Sequence, residues 1–522
     1  MEIATIRPMP TFELLPKVME AETQLFSVWL ASERTTQELI SLLPLAKDTK
    51  ALLAGPPGAG KSVLIEGICR IYFGLENLGK VQADPSLTPD DVLYRLDLAK
   101  LIRGEGEVVY PREVVTKPVK WLNEVTRANS VLQDAFLGLL AEHEVSYRDA
   151  KFRSPPFVAL ADYNPADMGG SQELSWPVSD RFDVLIEVGA LPLLKRVSLT
   201  LEKYQGKHHK DLRETFKSTL TFEEMQKAWE DVERVTVPEP VSVLAELLVE
   251  EITGCIYDRN RVSALYRESC APGRCEFFKE MCSKIERPAS YRVTDALVSL
   301  GKARAWRDRR PEISIDDILF LMPYVLAHRA KVKAVNLTPY NGSAAKFFRE
   351  EVGEVYESKK DVWKEAVQLY SLILSGFDKD AMAKLRDIAN RDLATRGLYS
   401  HVGEAVRGTL DEILRRAQSE AFTAKDVETA DGYVGLLDDS EQKLYSDAVE
   451  SLRKELQIRV TKDVYVEKLI PVVALFEPKL AAKVGVGEYR AKRLVVKIAP
   501  DTVSVQAEDS EVAKKLREAM GE

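Results

Sequence analysis

No apolar run in this chain approaches the ~18 residues that a membrane-spanning helix needs. The stretch Met1–Lys17 has no basic-then-apolar secretory pattern, so a cytoplasmic location is expected. An excess of basic residues is missing too: 73 Lys and Arg stand against 82 Asp and Glu, a net charge of −9. Broad attraction to a polyanion is therefore not expected, and nucleic acid is not the expected partner. Histidine is scarce, at five residues, and no histidine is ordered beside a cysteine in the way a thiol nucleophile needs. The chain has five cysteines, none in a tight C-x2-C pair. Cys69 lies in a helical stretch and reads as core. Cys255, Cys270, Cys275 and Cys282 share one segment, with an Ala-Pro-Gly turn between the middle two. Three structural readings stay open there: a four-cysteine Zn2+ site, two disulfides, or free thiols. No repeat of fixed period is visible.

What is present points to a folded chain with many charged helices: 45% of residues are hydrophobic and 30% charged over 522 residues. That length suits about three domains. Lys17–Leu45 has helical periodicity. Strands then alternate with helices from Lys50 to Val188, which predicts a parallel sheet of βαβ type. The expected strands include Thr49–Ala54, Val108–Tyr110, Val114–Val119, the apolar run Phe157–Ala161, and Val184–Val188. Thr88-Pro89-Asp90-Asp91 reads as a helix start, and Glu144–Phe152 as a hairpin. From Leu191 onward the pattern is helical. Ala344–Glu455 is charged and helical, and Leu494–Val505 contains a hairpin signal around Ala499-Pro500-Asp501.

The chemistry starts at Ala51–Ser62. An apolar strand runs into Gly55, Pro56, Pro57, Gly58, Ala59, Gly60, Lys61, Ser62 and Val63, and a helix follows. Gly55, Gly60, Lys61 and Ser62 satisfy G-x-x-x-x-G-K-[ST]. Glycines let backbone N–H groups close around phosphate, and the helix N-terminus adds a positive end. Lys61 would reach the outer phosphates, and the Ser62 hydroxyl would meet Mg2+. Hydrolysis also needs a group that orients water. Glu124, where Lys120–Asn123 hands over to a helix, is the candidate general base.

Further blocks follow in order: Asn123-Glu124-Val125-Thr126-Arg127-Ala128, then Pro156–Pro165 ending in Asn164-Pro165, Ser179-Asp180-Arg181-Phe182-Asp183, and Pro288-Ala289-Ser290-Tyr291-Arg292-Val293. Together with the phosphate loop they resemble the MoxR-type AAA+ ATPases over about residues 17–331. The resemblance implies an α/β P-loop AAA+ core at residues 1–190, with a parallel sheet flanked by helices. It further implies an all-α lid with the cysteine insert at 191–332. Residues 333–522 then form a mainly helical interaction or assembly domain with a small β hairpin. It implies an ATP-dependent, Mg2+-using ATPase in a homo-oligomer, a hexameric ring or spiral, acting as a chaperone on a partner protein. Partners with a von Willebrand factor A domain are associated with such proteins. Glu124 would activate water, Asn164 would be sensor 1, Arg181 a finger acting on a neighbour's site, and Arg292 the lid sensor. Against these stand plainer roles: an ion pair of Arg181 with Asp180 or Asp183, a turn cap at Asn164, an exposed charge at Arg292. Pro85–Pro118 and Glu144–Pro155 correspond to two family inserts. One position departs from the pattern. The Asp that precedes the catalytic Glu is Asn123 here. It keeps an acceptor for Mg2+ but loses the charge, so slow turnover is expected. The alternative is a nucleotide-binding scaffold with little hydrolysis.

Overall fold

The computed structural model describes residues 8–29, 33–104, 106–148, 150–165, 174–189, 193–204, 215–253, 280–375, 378–419, 421–437 and 439–521. The chain divides into two compact units, Met1–Asp361 and Val362–Glu522. Among the described residues no helix is long and apolar enough to cross a membrane.

The first unit is built on a sheet. Its strands are β1 (Lys50–Ala54), β2 (Leu78–Gln82), β5 (Val119–Asn123), β8 (Val158–Tyr163) and β9 (Val184–Glu187), in the order β2-β5-β8-β1-β9. Every pairing within it is parallel. The apolar runs explain this: Ala51–Ala54 and Val158–Ala161 are buried, as strands covered on both faces must be. Between them lie two small antiparallel pairs, β3 (Tyr94–Leu96) with β4 (Val109–Pro111), and β6 (Glu144–Tyr147) with β7 (Ala150–Arg153). The helix Pro89–Leu93 starts as its sequence dictates, with Thr88 and Asp91 forming a reciprocal capping box.

Val114–Val119 is not one strand: Glu113–Thr116 is a helical turn, and only Val119 belongs to β5. The edge strand β2 was not foreseen. Nor were β10 (Ile285–Arg287) and β11 (Lys331–Val332), a short antiparallel pair in a region expected to be wholly helical. Around that pair stand the helices Phe222–Glu233, Glu239–Thr253, Arg292–Arg307 and Ile315–Leu326.

The second unit combines helices such as Lys379–Ala389, Leu393–Ser419 and Ala424–Val434 with a four-stranded antiparallel sheet. Its strands are β12 (Gln457–Thr461), β13 (Gly487–Arg490), β14 (Leu494–Ile498) and β15 (Thr502–Ala507). The expected hairpin is β14–β15, and two charged strands extend it on either side.

Lys120, read from sequence as an interruption of β5, is a structural part of it. Its side chain is fully buried. Nζ donates to Val114 O at 2.7 Å, Val115 O at 3.1 Å and Lys117 O at 3.0 Å. The three donors of the ammonium thus cap the end of the turn Glu113–Thr116, which has no partners for these carbonyls within itself. Lys120→Met keeps the volume but orphans the carbonyls. It is expected to lower the unfolding free energy by about 1–3 kcal/mol in urea titration. An unchanged midpoint would mean that burying the charge costs as much as the three bonds return.

Candidate nucleotide site

The loop after β1 is shaped by close approach. A Cβ on Gly55 would stand 2.4 Å from Val188 O, and Val188 N donates to Ala54 O at 2.7 Å. Gly55 therefore has no room for a side chain. Gly60 has φ +83 and caps the helix Lys61–Tyr72 without any side-chain hydrogen bond. The first-turn N–H groups of that helix, with Ser62 and Val63, face an uncapped cradle, the arrangement that holds phosphate. Pro56, Pro57 and Gly58 form its exposed lip, and Ala59 is buried beneath. Trp29 Nε1 braces the loop from behind by donating to Gly60 O at 3.2 Å. Lys61 Nζ lies across the mouth, donating to Gly55 O at 2.5 Å and Pro56 O at 3.2 Å. Burial draws its pKa below that of an ordinary lysine, while the carboxylates of Asp162 and Glu124 oppose the shift. Ser62 and the loop donors fit ATP with Mg2+.

Strand register brings the polar groups to the same edge. Gln82 is paired with Asn123, and β5 lies between β2 and β8. These are the carboxyl ends of parallel strands, where α/β sheets bind ligands. Glu124 follows β5 in the left-handed region, φ +52, a conformation that costs a non-glycine residue free energy and here turns the side chain at the strand end. Gln82 Nε2 donates to Glu124 Oε2 at 3.0 Å, and Arg127 Nε lies 3.3 Å from the same oxygen. Asp162, on β8, is buried and accepts from Trp121 Nε1 at 2.8 Å. Desolvation raises its pKa, and the Trp121 bond and Lys61 oppose that rise. Asn123 lies between Gln82 and Asp162. With its amide turned so that Nδ2 donates to the two Asp162 oxygens at 2.9 and 3.2 Å, Asn123 Oδ1 faces Gln82 Oε1, so this orientation and the Gln82 bond to Glu124 belong to alternative amide arrangements. Asn164 follows Tyr163, whose carbonyl accepts from Gly55 N at 3.2 Å, so it stands next to the start of the loop.

The arginines gather elsewhere, around Asp180. This carboxylate is buried. It accepts from Arg292 at 2.8 Å and from Ser290 Oγ at 2.6 Å. Arg181 Nη1 lies 3.7 Å from it and Arg329 Nε 3.8 Å. The plainer pairing of Arg181 with Asp180 is thus present. Arg292 is half-exposed and paired rather than a lone surface charge. The buried Arg329 also reaches Asp183, at 3.6 Å. Sequence reasoning missed Gln82, Asp162 and Arg329, and named Asp180 only as a partner for Arg181. A carboxylate closing the apolar run of β8 was the available signal for Asp162.

Cys69 is buried and its thiol is pushed up to about 12 by desolvation. Cys255, Cys270 and Cys275 lie outside the described residues, and Cys282 lies in the turn Met281–Lys284. No cluster of His, Cys, Asp and Glu able to hold a metal ion is formed among the described residues, so nothing there supports Zn2+.

A phosphate loop at the carboxyl edge of a parallel sheet, followed by helices that reach back to that domain through Asp180, defines a P-loop nucleotide-binding module of the AAA+ class. The profile of the AAA domain (dynein-related subfamily) matches residues 50–182, and that of the AAA lid domain residues 284–345. Over these two domains the chain is similar to the MoxR-type AAA+ ATPases. Protein MoxR of Methylorubrum extorquens is 27% identical over 291 residues, covering 54% of this chain and 79% of that protein. Protein MoxR of Paracoccus denitrificans is 25% identical over 315 residues, covering 59% and 87%. The uncharacterized protein YeaC of Bacillus subtilis is 23% identical over 293 residues, covering 56% and 80%. The match to the AAA domain implies ATP and Mg2+ as ligands.

Proposed function

We propose that this chain hydrolyses ATP within a homo-oligomer and couples hydrolysis to remodelling of a partner protein. The observation that carries the reading is the placement of Glu124. It is held at the strand end by Gln82 and Arg127, and its charge is felt at Lys61. In this reading the loop N–H groups and Lys61 hold the phosphates, and Ser62 faces Mg2+. Mg2+, when bound, offsets phosphate charge. Glu124 takes the proton of the attacking water, and Asn164 orients water or the outer phosphate. Arg181 completes the site of an adjacent subunit, in a hexameric ring or spiral, and Arg292 links nucleotide state to the lid. The partner class is a protein with a von Willebrand factor A domain, met in the cytoplasm, by analogy with the family. Residues 333–522 serve interaction or assembly, after a core at 1–190 and a lid at 191–332.

Phosphate release with Mg2+ and ATP should exceed that of Lys61→Ala in the assembled protein. Equal rates would leave a binding scaffold, the reading that the neutral Asn123 favours.

A further inference from the structure

Position 123 is neutral, yet a carboxylate stands beside it. Gln82 and Asn123 are register partners at the ends of β2 and β5. On the other side of β5, Asp162 closes the buried part of β8. The Asn123 amide spans the gap, 2.9 and 3.2 Å from the two Asp162 oxygens. Two further donors fix that carboxylate: Trp121 Nε1 at 2.8 Å and the Glu124 backbone N–H. All three donors come from β5 and the residue after it. A carboxylate offers about four lone-pair positions, so acceptor capacity remains after these bonds. Lys61 lies within the electrostatic reach of Asp162 and Glu124 together.

We propose that Asp162 supplies the negative charge toward Mg2+ that Asn123 cannot, through an intervening water, and that Asn123 positions it. The inference rests on the nucleotide-site reading above. The edge keeps the charge of a carboxylate pair, Glu124 plus one other, but the second charge has moved one strand across the sheet. Mg2+ retains most of its waters in such sites, so a carboxylate can act on it without direct contact. Buried amide-to-carboxylate bonds of this kind fix orientation as well as charge. Asp162 is thus a residue of the metal site, and Asn123 a positioning residue.

The test is a Mg2+ titration of mant-ADP fluorescence on the full chain, with EDTA as baseline. Asp162→Asn should bind mant-ADP in EDTA as the wild type does, while its apparent Mg2+ affinity falls by about 10–100-fold. The double variant Asn123→Asp with Asp162→Asn, which returns the charge to β5, should recover most of that loss. Asn123→Ala, which removes one of three donors to Asp162 but not its charge, should lose a smaller part of the Mg2+ affinity than Asp162→Asn does. A wild-type Mg2+ curve for Asp162→Asn would overturn the inference while leaving the nucleotide site intact. So would a loss in Asn123→Ala as large as in Asp162→Asn. If Asp162→Asn fails to bind in EDTA, the Asn123→Ala curve decides: a partial loss of Mg2+ affinity supports the inference, and an unchanged curve or a complete loss overturns it. No mant-ADP binding by the wild type would overturn the nucleotide reading and this inference with it.

Discussion

Glu124→Gln is expected to bind ATP normally and to lose phosphate release by about 10²–10⁴-fold, the range that a positioned general base contributes. The carboxylate sits after β5 in the left-handed region, held by Gln82 Nε2 at 3.0 Å and Arg127 at 3.3 Å. Glutamine keeps the shape and an acceptor oxygen for Gln82 but cannot take a proton from water. Binding rests on the loop N–H groups and Lys61, which the substitution does not touch. The variant should therefore hold ATP and retain a partner that hydrolysis would release, so a pull-down with ATP should enrich it. Phosphate release at the wild-type rate would remove Glu124 from the mechanism. A parallel loss of nucleotide affinity would instead mark it as a support of the loop.

Asp180→Ala should be the most damaging single change to stability. Its buried carboxylate meets Arg292, Arg181, Arg329 and the Ser290 hydroxyl, joining the sheet domain to the helices after it. Truncation leaves Arg329, itself buried, with Asp183 as its remaining acidic neighbour in this cluster. Breaking one side of a buried ion cluster costs about 3–5 kcal/mol, readable as a lower denaturation midpoint of the full chain. Asp180→Asn should recover part of it, because the one amide oxygen still accepts from either Ser290 or Arg292, which in the wild type bond different carboxylate oxygens. An unshifted midpoint in Asp180→Ala would show that Asp183 alone holds the cluster.

Both effects turn on residues that the sequence exposed unequally. Gly55–Ser62 was legible because its spacing has one physical use, and the strand before it and helix after it agree. Glu124 was legible from its order after the loop. Asp162 was not, because its meeting with Asn123 depends on β8 lying beside β5, which periodicity does not show. Gln82 was hidden for a different reason. β2 is an edge strand whose residues alternate between buried and partly or fully exposed, and Leu-Gly-Lys-Val-Gln carries little apolar signal. Lys120 looked like a break because a buried lysine is visible only once its three carbonyl partners are in place. Strands β12 and β13 were missed because polar and charged residues fill their exposed faces. The parallel sheet, by contrast, followed directly from alternating apolar strands and helices over Lys50–Val188.

In the proposed function the phosphate loop is half of a site, and Arg181 belongs to the other half, on an adjacent subunit. Mixing Glu124→Gln with Arg181→Ala protein tests this most directly. Each alone should release phosphate at the background of Lys61→Ala. In a random one-to-one assembly about a quarter of interfaces join an intact Glu124 to an intact Arg181, so phosphate release should reappear on mixing. A mixture that stays at background, or normal turnover in Arg181→Ala alone, would contradict the shared site.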